Sequence, residues 1–214
     1  MMKQTQTAKL LDYWNELYAV AGVPERSQIE PMAIRDILGD TFILERDAGD
    51  KIQYRLAGTR LCAIFGKELK GEQFALPWRA EGRDSIVEII NSATKDSTIA
   101  LIGSVATSKS GREISLETLI LPLLQNGKKS VRMVGITTPI SRPYWLGMDP
   151  ITVQRLRTLR IIRPDKQSRL LNSRFSVFNN QNPVAIQKRP VVKKVKHLTV
   201  LDGGLLNEDN NQQI

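Results

Sequence analysis

The chain has one cysteine, Cys62, and one histidine, His197, in 214 residues. A single cysteine rules out an internal disulfide, and one Cys with one His does not supply a metal cluster. His197 lies far down a basic C-terminal stretch. A Ser-His-Asp or Cys-His arrangement therefore has no support. Aromatic residues make up only 6% of the chain, which argues against a cofactor-rich cavity, and no cofactor is expected. No apolar run approaches the roughly 20 residues needed to cross a bilayer. The longest, "LETLILPLL", contains Glu117. The N-terminus "MMKQTQTAKLLDYWNELY" lacks the continuous apolar core of a secretory signal. The Gly-containing stretch "AGTRLCAIFG" is neither G-x-x-x-x-G-K-[ST] nor G-x-G-x-x-G. The expectation is a cytoplasmic, non-enzymatic protein without a transmembrane segment.

What the chain does have is ordinary globular composition with an uneven charge. Hydrophobic residues are 41% and charged residues 25%, which fits one domain with extensions. Residues 1–150 carry 19 basic and 18 acidic side chains. Residues 151–197 carry 12 basic side chains and one acid, Asp165. Beyond them stand Asp202, Glu208 and Asp209 with no base. A near-neutral body thus precedes a basic extension with an acidic tip.

Periodicity divides the body. In "AKLLDYWNELYAVA", residues 8–21, Leu10, Trp14, Leu17 and Tyr18 share one helical face, with Thr7 as the expected N-cap. "EPMAIRDILGD" reads as a short helix started by Pro31. "TFILERD" and "KIQYRLA" read as a hairpin, with Ile52, Tyr54 and Leu56 on one strand face. Gly58-Thr59 breaks the second strand, and "RLCAIFG" follows as a short helix. "RAEGRDSIVEIINSA" returns to helix with Ile86, Ile89 and Ile90 on one face. Three more strand-like runs follow, joined by the turn-like "SKSGR" and "QNGKK". Strands with one helical block inserted between the second and third argue for an α+β fold. The expected sheet has five antiparallel strands with helices on one face.

After about residue 146 the pattern degrades. "DPITVQRLRTLRIIRP" opens with an Asp149-Pro150 helix start, but its arginines do not gather on one face. The rest mixes Asn, Gln, Pro and basic residues and reads as linker or disorder. The domain plan is a disordered 1–7, a body at 8–145, a basic extension at 146–197 and a disordered acidic tip at 198–214.

Within the body stand Tyr54, Arg55, Leu56, Gly58, Thr59, Phe65, Gly66 and Gly71, in a "YR-L-GT" strand end followed by "FG" and a further Gly. With the lead-in "IEPMAIRDILGDTFILE" and the late "HLTVLDGG", this resembles a divergent PAS-domain subfamily of stand-alone alphaproteobacterial proteins. The resemblance covers roughly residues 8–145 and that late box. It implies a sensory or regulatory domain that works through a small ligand or protein contacts, and that can pair as a homodimer. Haem-binding relatives use a histidine in the helical block, where none stands here. Flavin photochemistry needs an Asn-Cys-Arg-Phe-Leu motif that is absent.

The expected pocket wall is Tyr54, Leu56, Cys62, Phe65, Trp78, Ile86 and Ile90, suited to a small, mostly apolar ligand. Cys62 is either a sensing thiol or, with no His beside it, a small buried hydrophobe; the second reading is favoured. Leu10, Trp14, Leu17 and Tyr18 would pack on the sheet or across a dimer. In the basic extension, Arg155, Arg157, Arg160 and Arg163, then Lys193, Lys194 and Lys196, would hold a nucleic acid, an acidic protein or an anionic surface, or simply solubilise a linker. The arginine spacing lacks the R-x-x-x-R of cyclic-di-GMP-binding PilZ domains.

Overall fold

The structure is a computed structural model that describes residues 2, 4–47, 49, 51–125, 128–164, 191–195 and 198–201. Helix α1 (Thr5–Ala21) leads into three short 3-10 turns, at Arg26–Gln28, Pro31–Ile34 and Leu38–Asp40. Strands β1 (Thr41–Arg46) and β2 (Ile52–Ala57) follow, then α2 (Thr59–Phe65) and α3 (Ala80–Asp96). Next come β3 (Ile99–Ser108), β4 (Glu113–Gln125), β5 (Lys128–Pro139) and β6 (Ile151–Ile162). Strands β7 (Val191–Val195) and β8 (Leu198–Leu201) pair as a separate hairpin.

Six strands form one antiparallel sheet in the order β2-β1-β5-β4-β3-β6. The sixth, β6, corrects the helix start expected at Asp149-Pro150. It pairs with β3 from Ile99↔Ile162 to Ser108↔Ile151. Two bulges hide it from a period-two reading. The register shifts between Gly103 and Ser104, leaving Arg157 without a partner. Leu156 and Leu159, three apart, therefore both pack on the inner core. A bulge inserts one residue and reverses the alternation beyond it. Asp149 caps a different element. Ser108 Oγ donates to its carboxylate at 2.6 Å, as does Ser110 Oγ, and the Ser110 amide adds a bond at 3.2 Å. These bonds hold the Asp149 carboxyl below its ordinary range and fasten the β3–β4 tip to the residues that enter β6.

The helical block between β2 and β3 lies on one sheet face. Its core includes Phe42, Leu44, Tyr54, Leu61, Ile86, Ile90 and Ile102. The opposite face is also apolar, with Ile99, Leu101, Leu119, Leu121 and Ile136. Helix α1 covers it, burying Leu10, Leu11 and Trp14. The helix starts at Thr5, ahead of the expected cap and inside the segment expected to be disordered. Thr7 is buried within it and shares a hydrogen bond with Thr138 at 3.1 Å. Trp14 Nε1 donates to the carbonyl of Pro122 at 2.9 Å. Pro122 can stand in a central strand because β3 pairs with β4 only as far as Ile120. Beyond that point Trp14 and the Pro24 carbonyl, which accepts from the Leu124 amide, cover the strand.

The β2–α2 corner is fixed by a close approach. Gly58 has φ −71°, which any residue adopts. What it lacks is room, since an added Cβ would stand 2.2 Å from the Leu38 carbonyl oxygen and 2.4 Å from that of Gly39. Next to it, Arg60 reaches back to the buried Asp40 carboxylate with two bonds, at 3.0 and 2.7 Å. The Gly-Thr-Arg sequence thus clamps α2 onto the turn that precedes β1. Replacing Gly58 with Ala forces backbone apart, and the expected cost is about 3 kcal/mol. Urea denaturation of the Gly58→Ala chain measures it; an unchanged midpoint would refute the clamp.

Candidate functional site

Four rings run through the inner core. Phe42 meets Tyr54 at 5.6 Å between centroids, Tyr54 meets Phe74 at 5.5 Å, and Phe74 meets Trp78 at 6.3 Å. Phe74 and Trp78 belong to the segment 71–79, which carries no long element yet is tightly bonded. Its first part pairs with β2: the Gly71 amide donates to Tyr54 at 2.8 Å, Tyr54 to Glu72 at 2.9 Å, and Phe74 to Ile52 at 2.9 Å. Its last part pairs with β6: the Gln154 amide donates to Pro77 at 2.6 Å and Arg79 to Gln154 at 2.9 Å. One short segment therefore bonds to both edge strands of the sheet.

Under this segment opens a cleft of about 280 Å³. Tyr54 and Phe65 form one wall. Leu69, Leu76 and Pro77 form the second, and Pro150, Ile151 and Thr152 the third. The rim carries Gln73 and two charges, Lys67 and Glu72, which pair with each other at 2.6 Å. Gly66 ends α2 in the left-handed region, at φ 65°, and an added Cβ there would meet Pro150 Cγ at 2.5 Å. That contact brings the end of α2 against the start of β6. Tyr54 is 3% exposed, and burial followed by the nearby Cys62 pushes its phenol well above the ordinary range. Its hydroxyl stays protonated and has no hydrogen-bond partner among the described residues.

Of the residues expected to line a pocket, Tyr54 and Phe65 line this cleft. Trp78, Ile86 and Ile90 sit in the inner core cluster, with Cys62 packed against it. Leu56 is a correction, being 49% exposed. The β1–β2 register shifts between Ile43 and Leu44, leaving Arg55 unpaired. Tyr54 opposes Leu44 of the inner core, whereas Leu56 opposes Ile43 of the outer one, so the two do not share a face. Periodicity points to none of the third wall, because Pro150 to Thr152 follow a helix-start pattern in the sequence and form a strand entry in the fold.

The candidate interaction residues are also redistributed. Leu10 and Trp14 have no exposed surface left for a partner, and Leu17 and Tyr18 are partly buried on the same outer core. Of the basic residues, Arg155, Arg157 and Arg160 stand on β6 and Arg163 just beyond it. None of the four pairs with a carboxylate among the described residues. Lys193 and Lys194 fall in β7. Lys196 and the tip beyond Leu201 lie outside the described residues.

An antiparallel sheet in the order 2-1-5-4-3, with a helical block after its second strand, defines a sensor-type α+β domain. Residues 2–138 match the PAS domain family, and the chain belongs to that family, whose domains serve sensing and regulation. Strand β6 lies outside the matched residues. Among solved structures, the chain is similar to the light-state LOV domain of the blue-light photoreceptor Aureochrome1. That likeness has 14% identity over 52% of this chain and 89% of the other, with a TM-score of 0.40. It is also similar to the PAS domain of a protein from Colwellia psychrerythraea, at 15% identity over 51% of this chain and 97% of the other, with a TM-score of 0.37. No curated protein matches. No helix among the described residues is long and apolar enough to cross a membrane, and no group of metal-ligating side chains occurs among them.

Cys62 is a poor nucleophile by environment. Burial raises its thiol, and the Glu68 carboxylate, 3.7 Å from Sγ, raises it further. At pH 7.5 it should react with iodoacetamide more slowly than free cysteine, and speed up only at higher pH. A rate above that of free cysteine would restore a sensing thiol.

Proposed function

We propose that the protein is a non-enzymatic cytoplasmic regulator that acts through ligand sensing, protein contact or both. The observation that carries this reading is the composition of the cleft. Two of its walls belong to the family domain, and the third, Pro150 to Thr152, leads the strand added after it. An occupant would touch both, and any difference in its affinity for docked and loosened β6 would shift the balance between those states. Native mass spectrometry of gently purified full chain, paired with amide hydrogen exchange, tests this. The expected result is a small-molecule adduct whose removal speeds exchange in Ile151–Ile162. A chain that is always bare, retains no protein and exchanges identically in every preparation would end the proposal.

A second reading, nucleic-acid association through the basic extension, draws on the arginines of β6, which pair with no carboxylate among the described residues. Phosphate binding of that kind weakens steeply with salt. A low-salt electrophoretic shift that fades toward physiological salt, and that diminishes in an Arg155→Gln, Arg157→Gln, Arg160→Gln chain, would support it. No shift at low salt would remove it.

A further inference from the structure

The walls of the cleft define the chemistry of what it can hold, and this step rests on the ligand-sensing half of the reading above. Phe65, Leu69, Leu76, Pro77, Pro150 and Ile151 are apolar. The only charges at the rim, Lys67 and Glu72, neutralise each other. A charged ligand would lose its hydration and find no free counter-charge, a penalty that buried ions pay heavily. Against this apolar lining stands one polar group without an intramolecular use. Tyr54 is more than nine-tenths buried, lines the cleft, and its hydroxyl has no partner among the described residues. That hydroxyl is not among the side-chain atoms sealed from solvent without a partner, so it keeps accessible surface, and a ligand oxygen that reaches it takes the place of water there. The volume, about 280 Å³, stands at the small end for ligand pockets.

We infer that the cleft between α2, segment 67–77 and the start of β6 binds a small neutral molecule, about the size of one substituted ring, with an oxygen that hydrogen-bonds the Tyr54 hydroxyl. The site is separate from the space beneath α3, since no residue of α3 lines it. It is also incomplete without residues 150–152, which follow the matched family domain. Its ligand would therefore bridge that domain and β6.

Three single-ring probes separate the terms: p-cresol, neutral with a hydroxyl; toluene, neutral without one; and p-toluate, anionic. Each is titrated into isotopically labelled full chain and followed by amide chemical shifts. The inference expects p-cresol to bind most tightly, with shifts centred on 67–77 and 150–152, and p-toluate to bind weakest. Tyr54→Phe should weaken p-cresol by about fivefold and leave toluene unchanged. Thr152 is exposed at the mouth, so Thr152→Trp should block all three probes without touching the core. Equal or tighter binding of p-toluate, shifts centred on α3, or p-cresol affinity indifferent to both substitutions would overturn the ligand class. The adduct and exchange measurements above decide the sensory reading separately, so the two can fail independently.

Discussion

The fold depends on how its two sheet edges are closed. A six-stranded antiparallel sheet exposes a row of unpaired amides and carbonyls on β2 and on β6. Here the nine residues 71–79 bond to both, through Tyr54 and Ile52 at one end and Gln154 at the other. The same residues place Phe74 and Trp78 in the inner core between these edges. Backbone satisfaction and aromatic packing are thus met by one segment that has almost no regular structure. Loosening it would free two edges and open the core together, which makes it the most consequential stretch of irregular backbone in the chain.

Much of this was legible from residue order. Helical spacing located α1 and α3, alternation located β1 to β5, and the block of helices after β2 indicated the fold class. What failed failed at bulges. At Arg55 and again at Arg157 one extra residue reverses the in-out phase. The first displaced Leu56 from the pocket wall, and the second disguised β6 as an irregular helix. A bulge is set by the partner strand as well as by its own residues, so alternation along a single strand does not reveal it. The cleft was only partly legible for a related reason. Tyr54 and Phe65 could be placed from the motif, but Pro150 is brought to them by bonds to residues about forty positions earlier in the chain, from Ser108 and Ser110 to Asp149 and from the Lys109 amide to Pro150 itself.

The outer face shows how one amphipathic helix can serve two opposite expectations. Leu10 and Trp14 would suit a dimer seam as well as an intramolecular lid, and their spacing is the same in both cases. The sheet decides between them for these residues. Its outer face carries a wide apolar surface from β3, β4 and β5, and Pro122 offers a carbonyl that Trp14 satisfies. Burial of a Trp with its indole donor paired is worth more than either alone, since an unpaired donor would offset part of the apolar gain. Pairing of two chains through Leu10 and Trp14 would first have to lift α1 and expose that face.

The same logic gives the cleft its directional character. Four of its lining residues, Tyr54, Phe65, Leu69 and Ile151, also belong to the inner core, so the cleft and the core share a boundary. An occupant would also press on the start of β6, because Pro150 to Thr152 are the wall that lies outside the matched family domain. Two contacts oppose free movement there: the hydrogen-bonded Asp149 hook, and the close approach of Gly66 to Pro150. Each lies within a few residues of the cleft. The hook is continuous with the β3–β6 ladder, since Ser108 also pairs with Ile151 and the Lys109 amide donates to the Pro150 carbonyl at 2.8 Å. The cleft therefore sets Tyr54 in one shared lining with the first residues of the arginine-bearing strand.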